Sequence, residues 1–167
     1  MKTSTPKKAP VVGVILGSAS DLGRVGSVFE TLDLFQVPYE TAILSAHRTP
    51  HLVTDYAKSA SERGIKVVIA AAGLAAALPG ALAALVDIPV IGLPLGGGPV
   101  NGVDALLSVA AVGIDSSKNA ALLALRILGL ADPRISGELG KARERAAKDV
   151  AGKSNVLKEK GLPVWEP

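Results

Sequence analysis

The chain has 167 residues, enough to bury one full hydrophobic core without a second domain. It contains no cysteine, which excludes disulfides and thiolate chemistry and leaves the cytoplasm as the default location. The formal charge is only +3, the five aromatic residues are scattered and no uninterrupted apolar stretch reaches membrane length, so neither nucleic acid nor a membrane is expected as a partner.

Short apolar runs alternate with segments of helical periodicity along the chain. The first run, 11–17, is rich in β-branched residues, as strands buried on both faces of a sheet are, and it ends at the turn-forming GSASD. Apolar side chains then recur at helical spacing. The predicted strands are 11–17, 38–44, 66–72, 89–95 and 111–114. The predicted helices are 21–35, 49–64, 78–86, 101–109, 117–130 and 132–152, with an irregular tail after the last.

This alternation predicts an α/β fold, because right-handed crossovers through helices join consecutive parallel strands. The expected architecture is a three-layer, flavodoxin-like fold: a parallel sheet with helices on both faces, plus a C-terminal helix and tail. Residues 1–10 form a basic leader, 11–131 a single α/β catalytic domain, and 132–167 the C-terminal helix and tail. Much of the excess positive charge lies in the leader and the tail, where solvated helix faces explain it better than a nucleic-acid surface does.

Three segments directly follow predicted strands: GSASD (17–21), SAHRTP (45–50) and AAGLAAALPG (71–80). Ligands of open parallel sheets lie beyond the carboxyl ends of the strands, so these segments are expected to converge on one site. GSASD is suited to bind a phosphate, because it presents backbone N–H groups, two hydroxyls and a helix dipole. Ser20 or Asp21 is equally suited to a plain helix N-cap, and both interpretations stay open.

The segment SAHRTP gathers a histidine, an arginine and a serine at the end of one strand. Imidazole titrates near neutral pH and guanidinium binds phosphate, which favours a functional site. The alternative is a plain loop in which Thr49 caps the next helix and Arg48 is merely exposed. The only other histidine, His51, lies four residues after His47. With no cysteine and no third histidine, a solvent-facing place in the first helical turn is expected for His51, and no metal site is predicted.

Five segments in this order carry a resemblance to a known family. They resemble the PurE-type 5-(carboxyamino)imidazole ribonucleotide mutase and phosphoribosylaminoimidazole carboxylase family of purine biosynthesis. The resemblance extends over 11–129, and the stretch GIDSSKNAALLALRILGLADPRI is most similar to archaeal-type members. The segments are GSASD, SAHRTP, AALPG (76–80), GVDALLS (102–108) and NAALLALRILG (119–129).

The resemblance implies one catalytic residue, His47, in a site that binds a ribonucleotide. It implies that Ser18 and Arg48 hold the 5′-phosphate and that Asp21 binds the ribose hydroxyls. Arg48 follows the histidine where direct carboxylases of the family carry lysine, which favours the mutase branch. The implied substrate-binding residues are Ser18, Ser20, Asp21, Ser45, Ala46, Arg48, Ala72, Gly73 and Leu78.

The implied reaction requires no metal, nucleotide or organic cofactor. A carbamate on the exocyclic amine is lost as carbon dioxide, which stays trapped while carbon 4 of the imidazole attacks it. His47 donates the first proton and later removes the one on carbon 4, since one imidazole can serve as acid and then as base. An apolar pocket capped by GLAAALPG (73–80) would keep the gas from escaping. The partners implied are therefore the ribonucleotide and carbon dioxide.

The resemblance also implies a homo-octamer with sites shared between subunits. The Ala-rich helices 78–86 and 119–130 have few polar positions, which is compatible with burial at subunit contacts. The C-terminal region 132–167 is expected to pack on a neighbouring subunit. Its closing LKEKGLPVWEP, with the only tryptophan, is equally expected to strap onto that neighbour or to fray.

Three features depart from the family pattern. Ala77 stands where members usually carry histidine in the flap over the substrate, and the loop after Ser108 is short. The segment LGGGPVNG (95–102) is unusually rich in glycine, which predicts a remodelled or mobile rim. Two other functions therefore stay open: a direct carboxylase of aminoimidazole ribonucleotide or a related phosphorylated heterocycle, and a non-catalytic oligomer that binds phosphoribosyl ligands.

Overall fold

Four parallel strands form one sheet in the computed structural model, which describes residues 9–109 and 112–160. The pairing puts Val12 opposite Tyr39 on one side and opposite Val67 on the other. The strand order is β2-β1-β3-β4, with β1 and β3 side by side at the centre, which confirms the predicted flavodoxin-like α/β fold. The strands are β1 (Val12–Leu16), β2 (Tyr39–Ile43), β3 (Val67–Ala72) and β4 (Val90–Pro94).

Helices cover both faces of this sheet, as a three-layer fold requires. Side chains alternate between the faces of a strand, so Val14 and Leu16 of β1 pack into one core and Ile15 packs into the other. Full burial of each such side chain contributes about 1.5–3 kcal/mol. On the face of Val14 lie α1 (Gly26–Leu34), α5 (Ser117–Gly129) and α6 (Pro133–Glu159), and on the face of Ile15 lie α2 (Pro50–Ala60), α3 (Ala77–Ala83) and α4 (Val103–Leu107).

The predicted fifth strand, 111–114, is wrong over its described residues, Val112 to Ile114. The backbone still runs beside β4, since Val112 N donates to Gly92 O at 3.4 Å and Asp115 N donates to Pro94 O at 2.9 Å. Two isolated hydrogen bonds do not make a ladder, and the chain turns at Ile114. Residues 110 and 111 lie outside the described residues.

Two predicted helix boundaries differ from the structure. The segment 21–35 contains two elements, a 3-10 helix (Ala19–Arg24) and α1, which meet at the buried Val25. The predicted end at 152 is wrong, because α6 continues to Glu159. No glycine or proline occurs between Lys153 and Lys160, so the sequence has no residue there that would stop a helix.

The first turns of α6 pack on their own chain. Ile135 and Leu139 are buried in the core shared with α1 and α5, and Arg134 Nη1 donates to Phe35 O at 3.0 Å. Whether 132–167 also pack on a neighbouring subunit stays a prediction. Residues 161–167, with the tryptophan, and residues 1–8 of the predicted leader lie outside the described residues.

Gly13 of β1 leaves room for Tyr56 of α2. A Cβ at position 13 would collide with the Tyr56 hydroxyl, which is buried and has no hydrogen-bond partner among the described residues. We expect Gly13→Ala to lower the free energy of unfolding by about 1–3 kcal/mol, the usual cost of overpacking, and Tyr56→Phe added to it to recover most of the loss. Chemical denaturation measures both, with Gly26→Ala as control because its Cβ would meet nothing within 4 Å. An unchanged midpoint for Gly13→Ala would contradict this packing.

Candidate functional site

A cavity of about 680 Å³ opens at the carboxyl ends of the two central strands, β1 and β3. The chain leaves β1 toward α1 on one face and leaves β3 toward α3 on the other, so the cavity lies at the switch point where such sheets bind ligands. Gly17 N donates to Ala71 O at 3.0 Å and extends the β1–β3 pairing into the cavity wall.

The cavity brings together all ten residues that the sequence singled out. His47 and the nine predicted binding residues line it, whereas His51 is exposed on α2 and is not among the lining residues. The remaining walls come from Gly17, from the flap at 74–77 and from a rim at 96–98. Four segments that are distant in sequence therefore meet where the strands end, while the role of each residue stays a prediction.

The first wall is the turn GSASD, in which Ser18, and not Ser20 or Asp21 as the sequence suggested, is the N-cap of the 3-10 helix. Ser18 Oγ accepts from Ser20 N at 3.3 Å, and Ser18 N donates to Asp21 Oδ2 at 2.9 Å, which makes a capping box. Ser20 Oγ also donates to Ser18 Oγ at 2.9 Å. Capping and ligand binding are thus compatible here, because the cap fixes two hydroxyls and one carboxylate on the cavity wall.

The electrostatics of Asp21 follow from its place in this turn. Burial raises the pKa of Asp21, while the hydrogen bond from Ser18 N–H and the positive charge of Arg24 oppose that rise. The ionised carboxylate accepts hydrogen bonds only, so it suits a ligand that carries hydroxyl donors.

The second wall is the turn SAHRTP, which a hydroxyl of Thr49 braces. Thr49 Oγ1 accepts from Ser45 N at 3.0 Å and donates to Ser45 O at 3.2 Å, so it closes the turn instead of capping α2 with its side chain. Arg48 N donates to Ser45 Oγ at 3.1 Å. These bonds hold the backbone while the side chains of His47 and Arg48 stay exposed at the cavity.

Thr49→Val is expected to destabilise the protein by about 1–3 kcal/mol, because it leaves the part-buried Ser45 N–H without its acceptor at unchanged side-chain volume. Denaturant titration measures the loss, and Thr49→Ser should restore most of the stability. Thr54→Val is the matched control on the same helix, since its hydroxyl donates only to the exposed Pro50 O. Equal effects of the two valine variants would show that the brace does not stabilise the turn.

The third wall is the flap between β3 and α3. Leu74 and Ala76 adopt positive φ angles of 54° and 42°, which L-residues rarely do, and Ala76 N donates to Gly73 O at 3.0 Å. Leu78 is buried in the core, so its side chain anchors the flap. Ala77 lines the cavity with a methyl group at the position where the resemblance implies histidine.

The sequence predicts the glycine-rich rim but not the side chains that hold it. Arg24 Nη1 donates to Asp115 Oδ2 at 3.0 Å, and Gly96 N donates to Asp115 Oδ1 at 3.0 Å. Asn101 Oδ1 accepts from Gly97 N at 3.2 Å. One signal could have found Asp115: it comes directly after the predicted strand 111–114, as the other candidate segments follow their strands.

Two kinds of feature are absent from the described part of the chain. Residues 9–109 and 112–160 contain no group of three histidine, cysteine or acidic side chains placed to hold a metal ion. None of the helices described there has the length and apolar character that crossing a membrane requires.

Comparisons with known proteins give consistent results. A family model described as AIR carboxylase matches residues 11–149. The chain is 47% identical over 175 positions to the N5-carboxyaminoimidazole ribonucleotide mutase of Pyrococcus horikoshii, covering 99% of this chain and 97% of that protein. A protein of the same name from Thermotoga maritima is 44% identical over 161 positions, 91% of this chain and 94% of its own length.

Two further relatives extend the comparison. The phosphoribosylaminoimidazole carboxylase of Candida albicans is 45% identical over 95% of this chain, which spans only 29% of that longer protein. The crystal structure of Treponema denticola PurE matches with a TM-score of 0.81 at 30% identity, over 89% of this chain and 99% of that one.

One relative has more residues than this chain within the aligned region. The 175 positions aligned with the Pyrococcus horikoshii protein exceed the 167 residues present here, so that relative carries residues that this chain lacks.

Proposed function

The chain belongs to the AIR carboxylase family, and we propose that it interconverts 5-(carboxyamino)imidazole ribonucleotide and 4-carboxy-5-aminoimidazole ribonucleotide in de novo purine biosynthesis. Relatives named as this mutase match nearly their full length, which supports the same activity here. The observation that supports this site is the cavity that His47 lines together with Arg48, Ser18 and Asp21.

In the proposed binding mode, the ribonucleotide spans the cavity from the GSASD turn to the flap. Arg48 and the Ser18 hydroxyl bind the 5′-phosphate, and Asp21 accepts hydrogen bonds from the ribose hydroxyls. Ser20, Ser45 and Ala46 shape the walls around the sugar and the base. Ala72, Gly73 and Leu78 bound the imidazole and its carboxylate.

In the proposed mechanism, His47 carries one proton between two atoms of the substrate. Protonated His47 gives its proton to the exocyclic nitrogen, the carbon–nitrogen bond of the carbamate breaks, and carbon dioxide and aminoimidazole ribonucleotide are left in the cavity. Carbon 4 then attacks the carbon dioxide, and the neutral imidazole takes the proton from carbon 4. The reaction is a net isomerisation, since His47 gives one proton to the exocyclic nitrogen, takes another from carbon 4 and ends in its starting state.

The decisive experiment supplies each ribonucleotide separately, with and without bicarbonate, and follows the carboxylated imidazole by its absorbance. The mutase is expected to convert the carbamate substrate at a rate independent of bicarbonate. No conversion of either ribonucleotide would refute an enzymatic function, and ligand binding without turnover would indicate the non-catalytic oligomer.

The second candidate is a direct carboxylase of aminoimidazole ribonucleotide, because the Candida albicans relative bears the name of a carboxylase. Two results together would favour it. Aminoimidazole ribonucleotide would be converted only with bicarbonate, already at a low bicarbonate concentration, and the carbamate substrate would not be converted. The mutase is preferred because this chain spans 97% of the Pyrococcus horikoshii mutase but only 29% of the carboxylase relative.

We also propose that the protein is a cytoplasmic homo-octamer. Helix α4 exposes three apolar residues, Val103, Leu106 and Leu107, and Leu107 is 82% exposed. Leu130, which follows α5, is 89% exposed. Apolar side chains exposed in this way are typical of surfaces that another subunit covers. Light scattering measures the mass in solution, and a monomer would refute the assembly.

A further inference from the structure

The rim at 96–98 has no regular secondary structure to define its shape. It follows β4 and lines the cavity, and its backbone has positive φ angles of 122° at Gly97 and 69° at Gly98. Glycine reaches such conformations freely but loses the most conformational entropy when it is fixed. Contacts from elsewhere in the chain must therefore hold the rim in one place.

The side chain of Asp115 supplies one of these contacts. One carboxylate oxygen accepts from Gly96 N at 3.0 Å, and the other accepts from Arg24 Nη1 at 3.0 Å. The residue is itself fixed, since Asp115 N donates to Pro94 O at 2.9 Å at the end of β4. A single carboxylate thus joins the start of the rim to the last residue of the 3-10 helix.

This link joins the rim to the GSASD turn, and the rim also contacts the flap. Arg24 ends the helix that Ser18 begins, and Ser117 Oγ donates to Arg24 O at 2.6 Å, which fixes that end. Gly98 lies against the flap, because a Cβ there would come within 2.6 Å of Leu74 Cδ2. Movement of the rim would therefore change the gap between the GSASD turn and the flap.

We propose that Asp115 is a positioning residue that holds the rim closed over the cavity and so retains carbon dioxide between the two half-reactions. The proposal rests on the proposed mutase function, in which the gas must stay beside carbon 4 until it is attacked. Asp115 does not touch the substrate; it acts through Gly96 and Arg24. Without it, the three glycines would open a path to solvent, and the intermediate would divide between carboxylated product and free aminoimidazole ribonucleotide.

Two measurements on the full-length protein test this proposal. Hydrogen exchange of the peptide covering 95–102 reports on the rim, and the amount of aminoimidazole ribonucleotide released per carboxylated product reports on carbon dioxide loss. Asp115→Ala is expected to raise both by about tenfold, since it removes an ion pair and a hydrogen bond together. Asp115→Asn keeps an oxygen for Gly96 N–H and should fall between Asp115→Ala and the wild type.

The matched control is Arg63→Gln, which breaks a similar exposed ion pair with Glu40 far from the cavity. It should leave exchange at 95–102 and the product ratio unchanged. Unchanged exchange in Asp115→Ala would overturn the proposal, as would faster exchange with an unchanged product ratio. If the wild type converts neither ribonucleotide, the proposed function fails, and faster exchange in Asp115→Ala would still establish Asp115 as the residue that holds the rim.

Discussion

His47→Asn is expected to lower the rate of interconversion by about 10²–10⁴-fold while ribonucleotide binding changes by only a few fold. General acid–base catalysis by one positioned side chain contributes an acceleration of that size, and asparagine cannot carry the proton. Because His47 lies on the cavity wall and not in the core, its replacement should leave the fold intact. Steady-state kinetics and calorimetric titration with the carboxylated ribonucleotide measure the two quantities separately.

The chain offers a close control for this variant in its only other histidine. His51 is exposed on α2, four residues along the chain, and does not line the cavity. His51→Asn should therefore retain the wild-type rate. If His47→Asn is as fast as the wild type, or if both asparagine variants lose activity equally, His47 is not the proton carrier.

The fold followed from the sequence because its signals are local. The runs that became β1 and β3 are apolar throughout, as strands buried on both faces must be, and each is bounded by residues that form turns. The same regularity placed the candidate site, since a parallel sheet brings every segment that follows a strand to one edge. His47 and Asp21 both line one cavity, as this arrangement predicts.

The features that the sequence did not predict depend on contacts between distant residues. Arg24 and Asp115 are 91 positions apart, and an isolated arginine or aspartate leaves no pattern that would pair them. The segment 112–114 has the composition of a strand, yet whether it forms one depends on how many hydrogen bonds it can make to β4. The choice of Ser18 over Ser20 as N-cap depended on which hydroxyl faces the first free N–H groups, which composition does not reveal.

Arg48→Gln is expected to lower kcat/KM for the ribonucleotide by about 10- to 150-fold, mainly through KM. The guanidinium is exposed at the cavity, where it would meet a phosphate through charge-assisted hydrogen bonds, and losing such a bond costs about 1.5–3 kcal/mol. Arg48→Lys should recover part of the loss, because lysine keeps the charge but cannot make two parallel hydrogen bonds. Arg126→Gln, an exposed arginine of α5 outside the cavity lining, is the control and should behave as the wild type.

A substrate without its phosphate makes this test specific to the proposed contact. If Arg48 acts only on the 5′-phosphate, wild type and Arg48→Gln should process the corresponding ribonucleoside with equal kcat/KM, since neither has a phosphate to bind. A loss that persists with the ribonucleoside would assign Arg48 to the imidazole end of the cavity, beside His47, and would contradict the proposed orientation of the substrate. The same pair of substrates tests Ser18→Ala, the variant of the other proposed phosphate ligand. If the phosphate lies between the two turns, Arg48→Gln and Ser18→Ala should both process the ribonucleoside as fast as the wild type does.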